Sequence, residues 1–256
     1  MSREYTPTTA LSSYTESSVS YRGRDLVEDL LPRGGDFVQV MAEHILGRAV
    51  AAQELRVLNA VLIVLMEHGL TPSAISTRLT YMSAPENLQG AVAAGLMSVG
   101  SQFVGTMENN ARLLSELAAL DDAEVRRVDA RRIAEEHRAV RKPVPGFGHH
   151  LHKPDDPRAL KLLDIGDELD LPGRHIAALR LLAEEVDRAA GKHITINATG
   201  AVAALLGEIE VPVEIMRGFA VISRAAGLVA HIAEERERPS GRFIWDLVDT
   251  SIPHSE

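Results

Sequence analysis

Residues 142–158, KPVPGFGHHLHKPDDPR, concentrate side chains that could do chemistry. Gly146 and Gly148 precede His149, His150 and His152, and the stretch closes on Asp156-Pro157-Arg158. Imidazole titrates near neutrality and can move protons or polarise an oxygen. A guanidinium fork matches carboxylates and phosphates. Glycines let a backbone approach a ligand closely. Together these types describe an anionic substrate held by arginine and acted on by histidine. The same histidines with Asp155 could be read as zinc ligands. Neighbouring positions on one loop seldom supply tetrahedral geometry, so no metal is expected.

Around that loop the chain has the means to build a large helical core. It has 256 residues with 45% hydrophobic and only 4% aromatic, a Leu/Val/Ile/Ala mixture that favours packed helices. There is no cysteine, which excludes disulfides and thiolate metal sites and makes a cytoplasmic address the simplest expectation. The net charge of −9 argues against nucleic-acid binding. No apolar run reaches the ~18 residues of a membrane span. Residues 1–16 are polar and rich in Ser and Thr, and read as a flexible arm without a signal-peptide core.

Periodicity supplies the elements that must position the loop. Leu55, Leu58, Leu62 and Leu65 share a helix face that ends before His68. Residues 88–104, rich in Ala and Gly, read as a buried central helix. Residues 121–141 read as a surface helix with a sparse stripe at Val125, Val128 and Ile133. Helices are expected over 156–170 and 174–190, separated by Pro172-Gly173. Residues 212–235 are amphipathic, with Ile215, Phe219, Ile222, Ala226 and Val229 as the inward face. About nine helices and no βαβ alternation make the fold class all-α.

Several stretches together resemble the citrate synthase superfamily: SSVSYRGRDLVEDLL (17–31), LMEHGLTPSA (65–74), VPGFGHHLHKPDDPR (144–158) and FAVISRAAGLVAHIAEERERP (219–239). The short chain is similar to the citryl-CoA lyase branch, which also forms the C-terminal module of ATP-citrate lyase. The resemblance implies a large helical domain (17–106 and 203–256) and a smaller one (107–202) around a cleft. It also implies a homodimer or higher homo-oligomer, and coenzyme A as part of a thioester substrate or product beside a dicarboxylate or oxo acid.

By the same resemblance, the backbone of Val144, Pro145, Gly146, Phe147 and Gly148 wraps the CoA adenine. His149 contacts the substrate carbonyl or hydroxyl and accepts the hydroxyl proton in cleavage, and His68 is a second substrate histidine. Arg158 and Arg224 hold carboxylates, Arg238 reaches in from another subunit, and Asn197 belongs to the substrate-binding set.

Two positions depart from the family pattern. The histidine that synthases carry on the central helix is replaced by Val104, as in the lyase branch. The aspartate of an N-x-D stretch is replaced by Thr199, whose hydroxyl cannot act alone as a base near neutrality. Candidates for the displaced proton transfer are His149, Glu67 and Glu108, with Glu67 expected to orient His68. A condensing or β-keto thioester hydrolysing relative, or a non-catalytic CoA-ester-binding subunit, are the alternatives to a lyase.

Overall fold

The computed structural model describes residues 6–32, 35–100 and 105–254, and Val104 lies outside them. Within these the chain forms two compact units, Met1–Asn59 and Ala60–Glu256. The all-α expectation holds apart from one small antiparallel sheet: β1 (Ser12–Tyr14), β2 (Val19–Tyr21) and β3 (Arg24–Asp25), in the order β1-β2-β3.

The polar arm expected over 1–16 therefore carries a strand. Ser13 pairs with Ser20 across the ladder, and their hydroxyls lie 2.7 Å apart. A short run of hydroxyl side chains builds this hairpin because Thr15 Oγ1 accepts from Ser17 and Ser18 N–H in the turn. In the same unit α1 (Phe37–Leu46) is capped by Asp36 and ends on Gly47 at φ +72°. The left-handed conformation there favours glycine.

The remaining helices are α2 (Ala52–Met66), α3 (Pro72–Ser83), α4 (Leu88–Met97), α5 (Thr106–Ala119), α6 (Ala123–Ala139), α7 (Pro157–Glu168), α8 (Arg174–Ala190), α9 (Ala198–Glu208), α10 (Val213–Glu237) and α11 (Gly241–Ser251). The expected breaks at Gly69–Pro72 and Pro172-Gly173 coincide with helix ends.

The central buried helix is α9 and not the segment at 88–104. Every residue of α9 is buried except Thr199, whereas α4 stops at Met97, a residue 87% exposed. Both are built from Ala and Gly, and composition alone does not rank them. Helix α9 packs on α5, α7 and α8, and its carboxyl end holds α8 in place. Glu208 accepts from Gly173 N–H at 2.7 Å, His175 N–H at 2.6 Å and Ile176 N–H at 2.8 Å. A buried carboxylate is tolerable there because the first amides of α8 have no partners within the helix.

The inward face of α10 is rotated from the expected one. Met216, Phe219, Ala220, Ser223, Arg224, Gly227, Leu228, His231, Ile232 and Glu235 are buried, while Val229 and Ala226 face outward. Helix α10 is long and apolar enough to cross a membrane by length and composition, with half of that window buried inside the protein. On α6 the expected stripe divides: Ile133 is buried, and Val125 and Val128 are exposed.

Candidate active site

Asp156-Pro157-Arg158 opens α7. Asp156 is the N-cap, Pro157 occupies the first turn, where no N–H is needed, and Arg158 leads into the helix. The Asp156 carboxylate is fully buried and takes four contacts. Arg158 donates from its backbone N–H (3.0 Å), from Nε to Oδ1 (3.0 Å) and from Nη2 to Oδ2 (2.7 Å). Ala198 N–H, at the start of α9, adds a fourth at 3.1 Å. Burial alone would raise the Asp156 pKa, but the Arg158 and backbone hydrogen bonds outweigh it and hold the group below its usual range. One carboxylate thus ties α7 to α9 and aims Arg158.

The other side of Arg158 faces two histidines. Its Nη1 lies 3.2 Å from His68 Nδ1, and Nη2 lies 3.3 Å from His149 Nε2. His149 Nδ1 accepts from the backbone N–H of Leu151 (3.1 Å) and of His152 (3.0 Å). A ring nitrogen that accepts twice carries no proton, so the neutral ring holds its proton on Nε2. Two donors, Nε2–H and the Arg158 guanidinium, therefore face one another, an arrangement that a shared substrate oxygen would satisfy. In this tautomer His149 donates, which differs from the proton-accepting role expected for it: the backbone turn occupies its other nitrogen. Burial first, then His152 and Arg158, push the His149 pKa down. Burial, then Arg158, His152 and Arg224, do the same for His68.

Arg224 approaches from α10. It is 9% exposed and its Nη1 is buried without a hydrogen-bond partner. Burial lowers its pKa, and the charge of Glu67 opposes that. A desolvated guanidinium nitrogen lacking an acceptor is a ready contact for a carboxylate.

The carboxylates suggested for proton transfer are engaged elsewhere. Glu67 Oε1 accepts from His68 N–H at 2.8 Å and Gly69 N–H at 2.5 Å, which orients the turn carrying His68. Glu108 pairs with Arg217. Thr199 Oγ1 donates to Asn197 Oδ1 at 2.7 Å and lies 3.0 Å from the Thr106 hydroxyl.

Asn197 caps α9, accepting from Gly200 N–H at 3.2 Å, and its Nδ2 donates to Gly148 O at 3.0 Å. Its Oδ1 caps α9, and its Nδ2 ties the loop to the start of that helix.

The glycine loop is strapped by residues 193–198. Gly148 N–H donates to Thr195 O at 2.7 Å and Asn197 N–H to Gly146 O at 3.0 Å, while Phe147 bridges to Ile196. Val144 and Phe147 turn their side chains inward. Gly146 has φ +85°, and a Cβ there would lie 2.7 Å from Asn110 Cγ and 3.0 Å from Gly200 Cα. Its smallness serves the packing of loop on helix. Gly148, at φ +82°, is open: a Cβ there would meet nothing within 4 Å. Asn110 donates to Pro145 O at 2.7 Å and was not foreseen, because nothing in its local sequence marks it.

Arg238 stands apart. It is exposed at the end of α10, fourteen residues beyond Arg224 and so about 21 Å along the axis at a helical rise of ~1.5 Å per residue.

His149, His152 and Asp156 have ligand atoms within 4.8 Å of one another. They fit a cation poorly, because Arg158 and Ala198 N–H already occupy the Asp156 oxygens and the guanidinium would face the ion.

Comparison with known proteins gives a consistent picture. The family described as citrate synthase, C-terminal domain, matches residues 6–245. Probable ATP-citrate synthase subunit 1 of Neurospora crassa is 22% identical over 213 residues, which is 77% of this chain and 31% of that protein. The chain thus spans about a third of the length of that curated relative. The structure of citryl-CoA lyase from Hydrogenobacter thermophilus superposes with a TM-score of 0.84 at 29% identity, covering 97% of this chain and 94% of that one. An aspartate-to-alanine mutant of Methanosaeta concilii ATP citrate lyase, in complex with (3S)-citryl-CoA, shares the fold at 18% identity, with a TM-score of 0.78 over 100% of this chain and 43% of that one.

Proposed function

This chain belongs to the citrate synthase family, and on that premise we propose that it is a carbon–carbon lyase acting on a CoA thioester, cleaving citryl-CoA or a close analogue to acetyl-CoA and an oxo acid. The observation that carries this reading is the convergence of donors on one place: His149 Nε2–H, the guanidinium of Arg158 and, beside His68, the unpartnered Nη1 of Arg224. Such a site recognises carboxylate and alkoxide oxygens. The similarity over 94% of a protein described as citryl-CoA lyase supports the same substrate class.

In cleavage the bond between the carbinol carbon and the acetyl carbon breaks. Its electron pair passes to the acetyl carbon as a thioester enolate, and the carbinol becomes a ketone. The hydroxyl gives up one proton and the enolate carbon takes one, so the reaction consumes no base and needs only a carrier. Arg224 and the free edge of Arg158 hold carboxylates. His149 donates from Nε2 to the carbinol oxygen and stabilises charge there. Gly148 leaves room for the CoA moiety. A second copy of the chain, as a homodimer, supplies Arg238.

One observation favours a second reading, a CoA-ester-binding subunit without turnover. Glu67 Oε1 and both Asp156 oxygens are engaged, Glu108 is paired with Arg217, and Thr199 donates its only hydroxyl proton to Asn197.

Incubating the purified protein with citryl-CoA and following acetyl-CoA by mass spectrometry, beside Thr199→Asp, separates the two. Cleavage by the wild type supports the lyase. Tight binding without cleavage, together with cleavage by Thr199→Asp, supports the binding subunit.

A further inference from the structure

Arg78, on α3, is 3% exposed and surrounded by groups from α10 and the turn that follows it. It donates from Nη1 to Glu235 Oε2 at 2.8 Å and to Ser240 Oγ at 3.2 Å, and it pairs with Glu234 through Nη2. Burial opposes its charge, but the Glu235 and Glu234 hydrogen bonds prevail and raise its pKa, so the cation is permanent. A further side-chain donor, Nε–H, goes to His231 Nδ1 at 3.0 Å. That nitrogen accepts, so neutral His231 carries its proton on Nε2.

His231 Nε2 lies 3.0 Å from Glu67 Oε2, off the line of a hydrogen bond. The other Glu67 oxygen holds the amides of His68 and Gly69. Helix α10 is pressed against this turn at Gly227, where a Cβ would collide with Met66 O. A polar path thus runs from Arg78 through His231 to Glu67, by close approach and not a hydrogen bond at the last step, and on to the backbone that presents His68 to Arg158. Arg78 and His231 make no hydrogen bond to the donors assigned to the substrate, whereas the charge of Glu67 also acts on Arg224.

We infer that His231 is a positioning residue. Backed by Arg78, it fixes the Glu67 carboxylate and through it the 67–69 turn, so that His68 meets the substrate oxygen in one orientation. An isolated glutamate at a helix end would sample several rotamers, and the amides it caps would open with it. The catalytic consequence rests on the reading of His68 as a substrate-binding residue, whereas the structural consequence does not.

The test measures amide hydrogen exchange at His68 and Gly69 in the full chain, with citryl-CoA kinetics beside it. His231→Ala is expected to speed exchange at these two amides at least about tenfold while the amides of α8 keep their rates. The KM for citryl-CoA should rise more than kcat falls. His231→Gln, whose amide offers both an acceptor for Arg78 and a donor for Glu67, should restore exchange to within about threefold of wild type. Unchanged exchange at His68 and Gly69 in His231→Ala would overturn the proposal, as would equal acceleration throughout 60–256. If His231→Ala does not fold, the comparison passes to His231→Gln and Glu67→Gln: protection kept by the first and lost by the second supports the path, and equal loss in both overturns it. Absence of turnover by the wild type would count against the lyase and leave the exchange result standing.

Discussion

Asp156 takes from Arg158 the two-pronged contact that a substrate carboxylate would otherwise receive, at 3.0 Å from Nε and 2.7 Å from Nη2. The arginine is left with one free edge, Nη1 and the outer hydrogen of Nη2, and that edge points at His68 and His149. The carboxylate acts as an aiming device. It also caps α7 and anchors α9, so three jobs meet in one side chain. Asp156→Ala should cost about 3–5 kcal/mol, since it leaves a guanidinium without its buried partner and removes a helix cap. Urea denaturation measures this directly. A loss below about 1 kcal/mol would show that the carboxylate is not what holds these helices together.

The two loop glycines should separate cleanly. Gly146→Ala places a Cβ against Asn110 and Gly200 at φ +85°, and should lower stability by about 2–4 kcal/mol from combined clash and strain. Gly148→Ala meets no atom and should cost only the left-handed backbone penalty of about 1–2 kcal/mol. Its larger effect should be on CoA binding, because the added methyl enters the open face of the loop. Thermal unfolding together with calorimetric CoA titration checks both halves. The reverse ranking of stabilities would mean that the loop is not seated on α9 as described.

Much of this arrangement was legible in the sequence, and the misses share a cause. Helix ends at Pro72 and Pro172-Gly173 follow from proline and glycine chemistry, and the loop at 142–158 stood out by its residue types. The inward face of α10 did not. A search for apolar residues selects Ile215, Ile222 and Val229 and passes over the buried Ser223, Arg224, His231 and Glu235, of which Ser223 bonds Leu62, His231 bonds Arg78 and Glu235 bonds Ser240. Pairing across 153 positions, as between Arg78 and His231, leaves no local signal. The strand at Ser12–Tyr14 was hidden for a similar reason, since it is stabilised by pairing with Val19–Tyr21 and not by an apolar pattern of its own. Asp156 had a readable mark, a capping residue ahead of proline, which predicts a helix start but not the fork it makes with Arg158.

Substrate binding should be linked to protonation. The pKa values of His68 and His149 are lowered, first by burial and then by neighbouring cations, including Arg158 for both and Arg224 for His68. Both rings are therefore neutral in the free protein at pH 7. A substrate with two or more carboxylates screens Arg158 and Arg224, raises the His68 pKa, and binds with uptake of a proton there, while the two backbone amides on its Nδ1 keep His149 neutral. Its affinity should rise as pH falls from about 8 towards 6, close to the ordinary histidine value of about 6.5.

The free protein should behave in the opposite sense. A depressed folded-state pKa supplies stability that is complete above the unfolded value and is lost as pH falls through the folded one. Calorimetry in two buffers of different ionisation heat reads the uptake, and equal heats in both would contradict it.

Arg224 should show a trade between stability and binding. Its Nη1 is buried without an acceptor, and burial disfavours its charge. A buried donor without a partner costs about 1–3 kcal/mol, so Arg224→Met, which keeps the apolar stem and removes the charge, should stabilise the free protein by a comparable amount. The same variant should weaken binding of a carboxylate-bearing CoA ester by about 2–4 kcal/mol, roughly 30- to 1000-fold, because a charge-assisted contact in a desolvated site is lost. CoA alone, which has no carboxylate for this residue, should bind as before. Denaturant midpoints and paired titrations with citryl-CoA and CoA give the two numbers. A variant that is both less stable and unchanged in citryl-CoA affinity would mean that Arg224 serves the α10 packing and that the substrate carboxylate is held elsewhere. Gain of stability with selective loss of the carboxylate ligand would place the unpaired guanidinium in the substrate site and explain why a buried cation is kept there.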